Sequence, residues 1–378
     1  MFAFSRAPQE SESPVDNVPP QRIEVVDKQA PSGSRTLLLA WARDGLPARS
    51  ERVLKKDREV VHATTVTAGL EWIKATVDPD GTAQALRGGF EIPIEVAAVD
   101  PNEYSRFVAP SERALVEGLS GNDVLLSETS ARIRGAGAGL RMTTSGGREL
   151  HVRGVISDHS ASGYEVIGAG SPAGYRDRFV LMQLADASAR RSIENKIRSL
   201  LPRDTAVRIR AEGETPYLRY GDAVLPQALI KSTFGEFSAK RLPTGYIEIE
   251  RAWIRENIIT TKVPLLGEVT CHRILIPQLK AAMQQIIGSG LQFLINPEQY
   301  GGCFSPRFVD RRLNGRLSHH AWGIAVDVNV AENAFGTEPD QDKRLVEIFE
   351  RLGFTWGGRW LVPDGMHFEW VRFPTSSV

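Results

Sequence analysis

The stretch Ser318–Asn329, SHHAWGIAVDVN, decides how the chain is read. Ile324, Val326 and Val328, with Val330 beyond, fall on one face of an extended strand, and Ala325, Asp327 and Asn329 fall on the other. The apolar face belongs against a core, so Asp327 is displayed on the open one. His320 precedes the strand by a Trp322–Gly323 bend that can swing its imidazole toward the same point. Downstream, PDGMHFEW (Pro363–Trp370) repeats the pattern, with His367 and Glu369 on one face and Met366, Phe368 and Trp370 on the other. His320, Asp327 and His367 form a donor set for one Zn²⁺, and the fourth tetrahedral position stays free for water, as a hydrolytic rather than a structural site requires.

Water at such a centre still needs a base. Asp364, three residues before His367, is placed to take its proton, although Pro363-Asp364-Gly365 is also a strong turn signal. Arg307, in YGGCFSPRF, is the cationic candidate for stabilising an oxyanion. Ser318, Glu369 and Trp322 are assigned to contacts with substrate or with the ligands, Glu369 as the group that orients a ligand. His319 points away from His320 if the chain is locally extended and takes a supporting or surface role. His272 reads as structural, and His62, His151 and His159 share no common spacing. Trp356, Trp360 and Trp370 divide between cleft wall and core.

Working outward, ILIPQLKAAMQQIIGSG carries Leu275, Leu279, Met283, Ile286 and Ile287 at helical spacing, with Pro277 near its start and Gly288 near its end. DQDKRLVEIFERLG reads as a helix ended by Gly353, and LQFLI, WGIAVDVNV and MHFEWVRF read as strands. The segment GYIEIERAWIRENIITTKVPLLG reads as an extended connection into this last domain. Before it, from Arg35 to Lys240, short β-like runs alternate with Gly, Asn, Asp and Pro turns, and SARRSIENKIRSLLP supplies one amphipathic helix. Residues 1–34, rich in Pro, Ser, Glu and Gln, read as a disordered tail. The expected fold class is α+β: a strand-rich mixed α/β domain of unassigned role at 35–240, then a small α+β domain at 245–378.

Lys plus Arg and Asp plus Glu number 46 each, so no global field favours nucleic acid or an anionic membrane. No apolar run approaches the roughly 18 residues of a membrane span. The N-terminus MFAFSRAPQESESPVDNVPP has no apolar core after its first charge and reads as lacking a secretory signal.

The pattern S-x-H-x-x-G-x-A-x-D at Ser318, His320, Gly323, Ala325 and Asp327, followed by D-x-x-H-F-E at Asp364–Glu369, resembles the M15 family of zinc D-alanyl-D-alanine carboxypeptidases. The likeness covers about residues 245–378 and says nothing of residues 1–240. It implies the small α+β fold of the hedgehog/DD-peptidase type and one zinc on His320, Asp327 and His367. It further implies Asp364 as general base and cleavage of peptidoglycan stem peptides, as carboxypeptidase or endopeptidase. One departure touches substrate choice: many relatives carry a Tyr-Arg-Ser turn followed by Gln where this chain has YGGCFSPRF, so the equation of Arg307 with the family arginine rests on position alone. The stretch from Val99 to Met142 is loosely similar to extracytoplasmic core domains of ABC-transporter permeases, which suggests an envelope component as partner of the first domain.

A wall substrate places the protein outside the cytoplasm. There the two cysteines, Cys271 and Cys303, are expected to form a disulfide rather than two reduced thiols, closing a loop of about 32 residues worth roughly 3 to 4 kcal/mol. The competing expectation is a zinc-containing module without catalysis, binding peptide or an envelope component.

Overall fold

Val60–Val77, VVHATTVTAGLEWIKATV, is rich in β-branched residues and forms one strand of 18 residues on which the first domain is built. Its first half pairs antiparallel with Asp177–Leu184, with Thr64 opposite Leu181, and its second half pairs with Ile92–Val99 and Arg141–Thr144. The structure, a computed structural model, describes residues 36–373 except 171–173, 176, 224 and 314. The expected tail at 1–34 lies outside the described residues.

The second half of the long strand closes a ring through Ile92–Val99, Val166–Ala169, Asp123–Ser127, Glu149–Ile156 and Arg141–Thr144. Ile73, Ile94, Val96, Leu126, Met142 and Val152 from these strands form one apolar cluster. Its first half belongs to an open arm that continues through Asp177–Leu184 and Leu37–Ala42 to Val207–Ala211. The helix Arg190–Ser199 lays Ile193 and Ile197 on that arm, as the spacing of its apolar residues requires.

The last domain combines helices with antiparallel strands, so the chain is mixed and consistent with an α+β class. Ala325–Asp327, His367–Trp370 and Phe354–Trp356 make a three-stranded sheet with His367–Trp370 in the centre. Beside it lie the hairpin Ile258–Val263 with Gly267–His272 and the helices Ile276–Gly288 and Lys343–Arg351. Phe349 stacks on Phe368 with ring centroids 4.1 Å apart, and Leu279, Met283 and Ile286 complete the same core. Leu70 and Trp72 of the long strand, and Phe234 and Phe237 just before residue 240, pack into this core as well. Residues on both sides of the expected boundary at 240–245 therefore share one apolar core.

Three local expectations change. Ile287 is 44% exposed, because it stands one helical step off the Leu279–Met283–Ile286 stripe. LQFLI holds a 3-10 turn at Gln292–Leu294 instead of a strand: Gly290 turns the chain at φ 70° and Pro297 opens the next turn, which leaves no length for a ladder. The extended connection near 245–267 contains the helix Arg251–Asn257, anchored by buried Trp253, between the strands Ile247–Ile249 and Ile258–Val263.

Trp322 is buried, its ring centroid 4.7 Å from Phe237 and its Nε1 donating to the carbonyl of Gly235 at 3.2 Å. The expectation of a substrate or ligand contact is corrected: its polar atom is spent on the core, where it ties the His320 turn to the segment before residue 240. Next to it, Gly323 adopts φ 67°, and a Cβ there would stand 2.7 Å from the backbone nitrogen of His272. Only glycine accepts both demands. Gly323→Ala is expected to lower stability by about 2 to 3 kcal/mol in urea unfolding, since a strained φ and a backbone clash coincide.

Candidate metal centre

The antiparallel register sets Asp327 directly opposite His367 and Ala325 opposite Glu369. Side chains of directly paired residues share a face, so Asp327 and His367 are brought together by the ladder itself. His320 reaches the same point from the 3-10 turn His319–Ala321, whose first turn is capped by the Ser318 hydroxyl accepting from the His320 amide at 3.3 Å. Ser318 thus shapes the turn that carries a ligand.

The three donor atoms form a triangle. His320 Nε2 lies 3.2 Å from both His367 Nδ1 and Asp327 Oδ1, and His367 Nδ1 lies 3.0 Å from Asp327 Oδ1. Donors at ordinary zinc distances in a tetrahedron stand about 3.3 to 3.5 Å apart, so the triangle fits one face of a zinc tetrahedron to within a few tenths of an ångström. These residues form a group able to hold a metal ion.

The nitrogen of each ring that faces away from the triangle is occupied. His320 Nδ1 is 2.8 Å from the carbonyl of Cys303, to which it donates as the Nδ1–H tautomer, leaving Nε2 free. His367 Nε2 is 3.1 Å from Glu369 Oε2 and donates its N–H to that carboxylate, which aims Nδ1 into the triangle. Glu369 is itself held by His319, whose Nδ1 lies 2.7 Å away as a charge contact rather than an aligned hydrogen bond. His319 is buried in this position, not at the surface. Cys303 is joined to Cys271 by a disulfide, so the carbonyl that orients His320 is tied covalently to the neighbouring hairpin.

The charges are strongly coupled. Burial would push the carboxyls of Asp327 and Glu369 up, but the imidazoles of His320 and His367 hold Asp327, and those of His319 and His367 hold Glu369, well below the usual carboxylate range. Burial would pull His367 down, yet hydrogen bonds to Asp327 and Glu369 push it up to about 10. Without a metal, His367 is therefore an imidazolium between two carboxylates. His272, by contrast, is buried away from these acids and drawn down to about 4, with Nε2 on the carbonyl of Phe234 at 3.1 Å; its role is structural.

Asp364 sits in the turn before the central strand, its amide donating to Gly357 at 3.0 Å and its carbonyl accepting from His367 at 3.2 Å. Burial, with the negative charges of Asp327 and Glu369 adding to it against His367 and Arg307, pushes its carboxyl up to about 6. Its Oδ1 is buried without a hydrogen-bond partner. Arg307 places Nη2 4.0 Å from Asp327 Oδ2 and keeps a quarter of its side chain, 26%, exposed. The indole of Trp360 lies 5.1 Å from the His367 ring, Trp356 donates Nε1 to the Gly365 carbonyl at 2.7 Å, and Trp370 is core. Tyr300 was not singled out by the sequence. Its hydroxyl is buried without a partner, and burial together with the charge of Asp327 pushes its pKa up; the Gly301-Gly302 pair that lets this loop approach Asp327 is the only signal that could have flagged it.

Residues 312–370, which span the ligands and Asp364 but not Arg307, match a peptidase M15 family model described as D-alanyl-D-alanine carboxypeptidase. No curated protein matches the chain. Among solved structures, the periplasmic region of MacB from Actinobacillus actinomycetemcomitans aligns at 14% identity and TM-score 0.33, covering 47% of this chain and 88% of that one. The extracellular domain of the noncanonic ABC-type transporter YknZ from Gram-positive bacteria aligns at 11% identity and TM-score 0.32, covering 46% and 99%. At those scores neither bears on function. Among the described residues no helix is long and apolar enough to cross a membrane.

Two outcomes are expected. Because a metal must displace the His367 proton, zinc binding should release about one proton at pH 7, and affinity should fall as pH drops; calorimetry in buffers of different ionisation enthalpy reads this directly. Cys303→Ala should cost about 3 kcal/mol in chemical unfolding and weaken zinc binding by loosening the carbonyl that orients His320.

Proposed function

We propose that the C-terminal domain is a zinc metallopeptidase of the hedgehog/DD-peptidase type that hydrolyses peptide bonds in peptidoglycan stem peptides outside the cytoplasm. The observation that carries this reading is the triangle of His320, Asp327 and His367 with an unpartnered carboxylate oxygen of Asp364 buried nearby. The match of residues 312–370 to a carboxypeptidase family supports the reaction class.

Zinc, when bound, supplies a Lewis acid that polarises a peptide carbonyl and acidifies water. The chain's own groups do the rest. Asp364 accepts the proton of the attacking water at its free Oδ1 and returns it to the leaving amine, a transfer favoured by a carboxyl raised toward neutrality. Arg307 brings a positive charge to the oxygen on which negative charge develops. Glu369 and His319 keep Nδ1 of His367 aimed inward, and the Cys303 carbonyl does the same for Nε2 of His320. A closed structural zinc site has no use for an acid like Asp364, which favours the enzyme over a binding module.

Asp364→Asn is expected to keep one zinc per chain while losing about 100- to 10,000-fold in hydrolysis of soluble stem peptides followed by mass. Retained hydrolysis would overturn the assignment of Asp364. Native activity should fall as pH drops through about 6, because the base works only when deprotonated and its raised pKa brings that limit into the accessible range.

A further inference from the structure

Between the two domains lies a cleft of about 320 Å³, lined from the first domain by Arg208, Arg210 and Asp222 and from the last by Trp356, Arg359 and Trp360. It is a built junction. Asp222 accepts from the Leu361 amide at 2.6 Å and from Arg210 at 2.8 Å, and Arg208 donates Nη2 to the Arg359 carbonyl at 3.0 Å. Trp360 is shared: it borders this cleft and also stands 5.1 Å from the His367 ring. The cleft and the candidate metal centre therefore meet the same indole.

The acids here are already taken. Asp222 serves Leu361 and Arg210 and also pairs with Arg208 Nε at 3.5 Å, and Glu214, the other acid of the lining, pairs with Arg190 at 2.6 Å and accepts from the Ala211 amide at 3.0 Å. The guanidinium groups are not exhausted. Arg208 keeps 33% and Arg359 62% of the side chain exposed, and each guanidinium has five N–H donors of which its partners use only part. Arg359 also lies over the Trp356 ring at 5.7 Å, and pairs with Glu350 outside the lining. Arg208 and Arg359 thus keep N–H donors to spare beside the indoles of the lining, a surface suited to a carboxylate.

Resting on the peptidase reading, we propose that this cleft is a substrate subsite in which Arg208 of the first domain and Arg359 of the last bind a free carboxylate that branches from within the peptide, not its C-terminal one, so that the first domain contributes to the specificity of the second. The function of the first domain is then partly written at its edge strand Val207–Ala211, which carries Arg208 to the cleft.

The test compares the stem peptide Ala-γ-D-Glu-Lys-D-Ala-D-Ala with its isoglutamine twin, in which the free α-carboxylate is a carboxamide. Binding is measured by calorimetry on the zinc-loaded full chain carrying Asp364→Asn, so that peptide is not consumed. The acid form should bind about tenfold or more tightly than the amide, and the difference should collapse toward one when Arg208→Gln and Arg359→Gln are combined. Arg359→Gln alone, at an exposed position, should remove part of it and guards against a folding defect in the double variant. Equal binding of the two peptides by the native pair of arginines, or a difference that survives their replacement, overturns the subsite. Hydrolysis by the native chain is scored separately: cleavage without an acid preference removes the subsite and leaves the peptidase, whereas an arginine-dependent acid preference without cleavage leaves the subsite and removes the peptidase.

Discussion

The pairing of Asp327 with His367 across two antiparallel strands is the constraint on which the rest of the site depends. It places a carboxylate and an imidazole on one face at contact distance with no contribution from flexible loops, and it forces the opposite faces, Val326 and Phe368, into the core. A slip of one residue would turn both ligands into the core and both core residues out. Register is therefore fixed by hydrophobic burial, and the metal-binding geometry follows from it. The cost of gathering three donors in a buried place is met before any metal arrives, because His367 carries a proton between Asp327 and Glu369. A divalent cation would exchange for that proton.

The segment that leads from the first domain into the second core is pinned to the first domain by buried charge. Arg219 forks onto both oxygens of Glu95 at 2.7 Å, and Lys231, on the helix Gln227–Phe234, meets Glu165 at 2.9 Å, all of them buried. Arg134 reaches Glu165 at 2.8 Å and also bonds Glu236. Buried pairs contribute little net stability over apolar replacements, but an unpaired member is strongly unfavourable, so such a network penalises any placement of this segment that separates the pairs. The helix that bears Lys231 ends at Phe234, whose ring meets Trp370 at 4.8 Å in the second core. Fixing Lys231 thus fixes where Phe234 enters the core that backs the candidate metal centre.

Much of the metal centre was legible in local sequence because a strand has a period of two. Alternation around Asp327 and His367 exposes the donors directly, and a glycine at position 323 marks the bend that brings His320 inward. What was not legible is non-local. Nothing in SHHAWGIAVDVN or PDGMHFEW states that the two strands pair antiparallel in this register, that the Cys303 carbonyl selects the His320 tautomer, or that Trp322 spends its indole on Gly235. His319 shows the limit well: read as an extended chain it points away, but in a 3-10 turn consecutive side chains are about 120° apart, and it swings onto Glu369. LQFLI failed for a similar reason, since a short apolar run has no period of its own and the glycine and proline around it decided its conformation.

Some of the buried unpartnered atoms lie where the chemistry is expected. Asp364 Oδ1 and the Tyr300 hydroxyl are both buried without a hydrogen bond, and both feel the charge of Asp327. A fold optimised for stability alone would satisfy or remove such groups, because each costs on the order of 1 to 3 kcal/mol. Around them other polar groups are engaged: the Asp364 backbone with Gly357 and His367, Glu369 Oε2 with His367, and His320 with Cys303. The surrounding lattice of hydrogen bonds and the shared hydrophobic core hold these unsatisfied groups in place, and a substrate that supplies their missing partners recovers that energy on binding. Part of the affinity for the reacting groups is in this sense prepaid during folding.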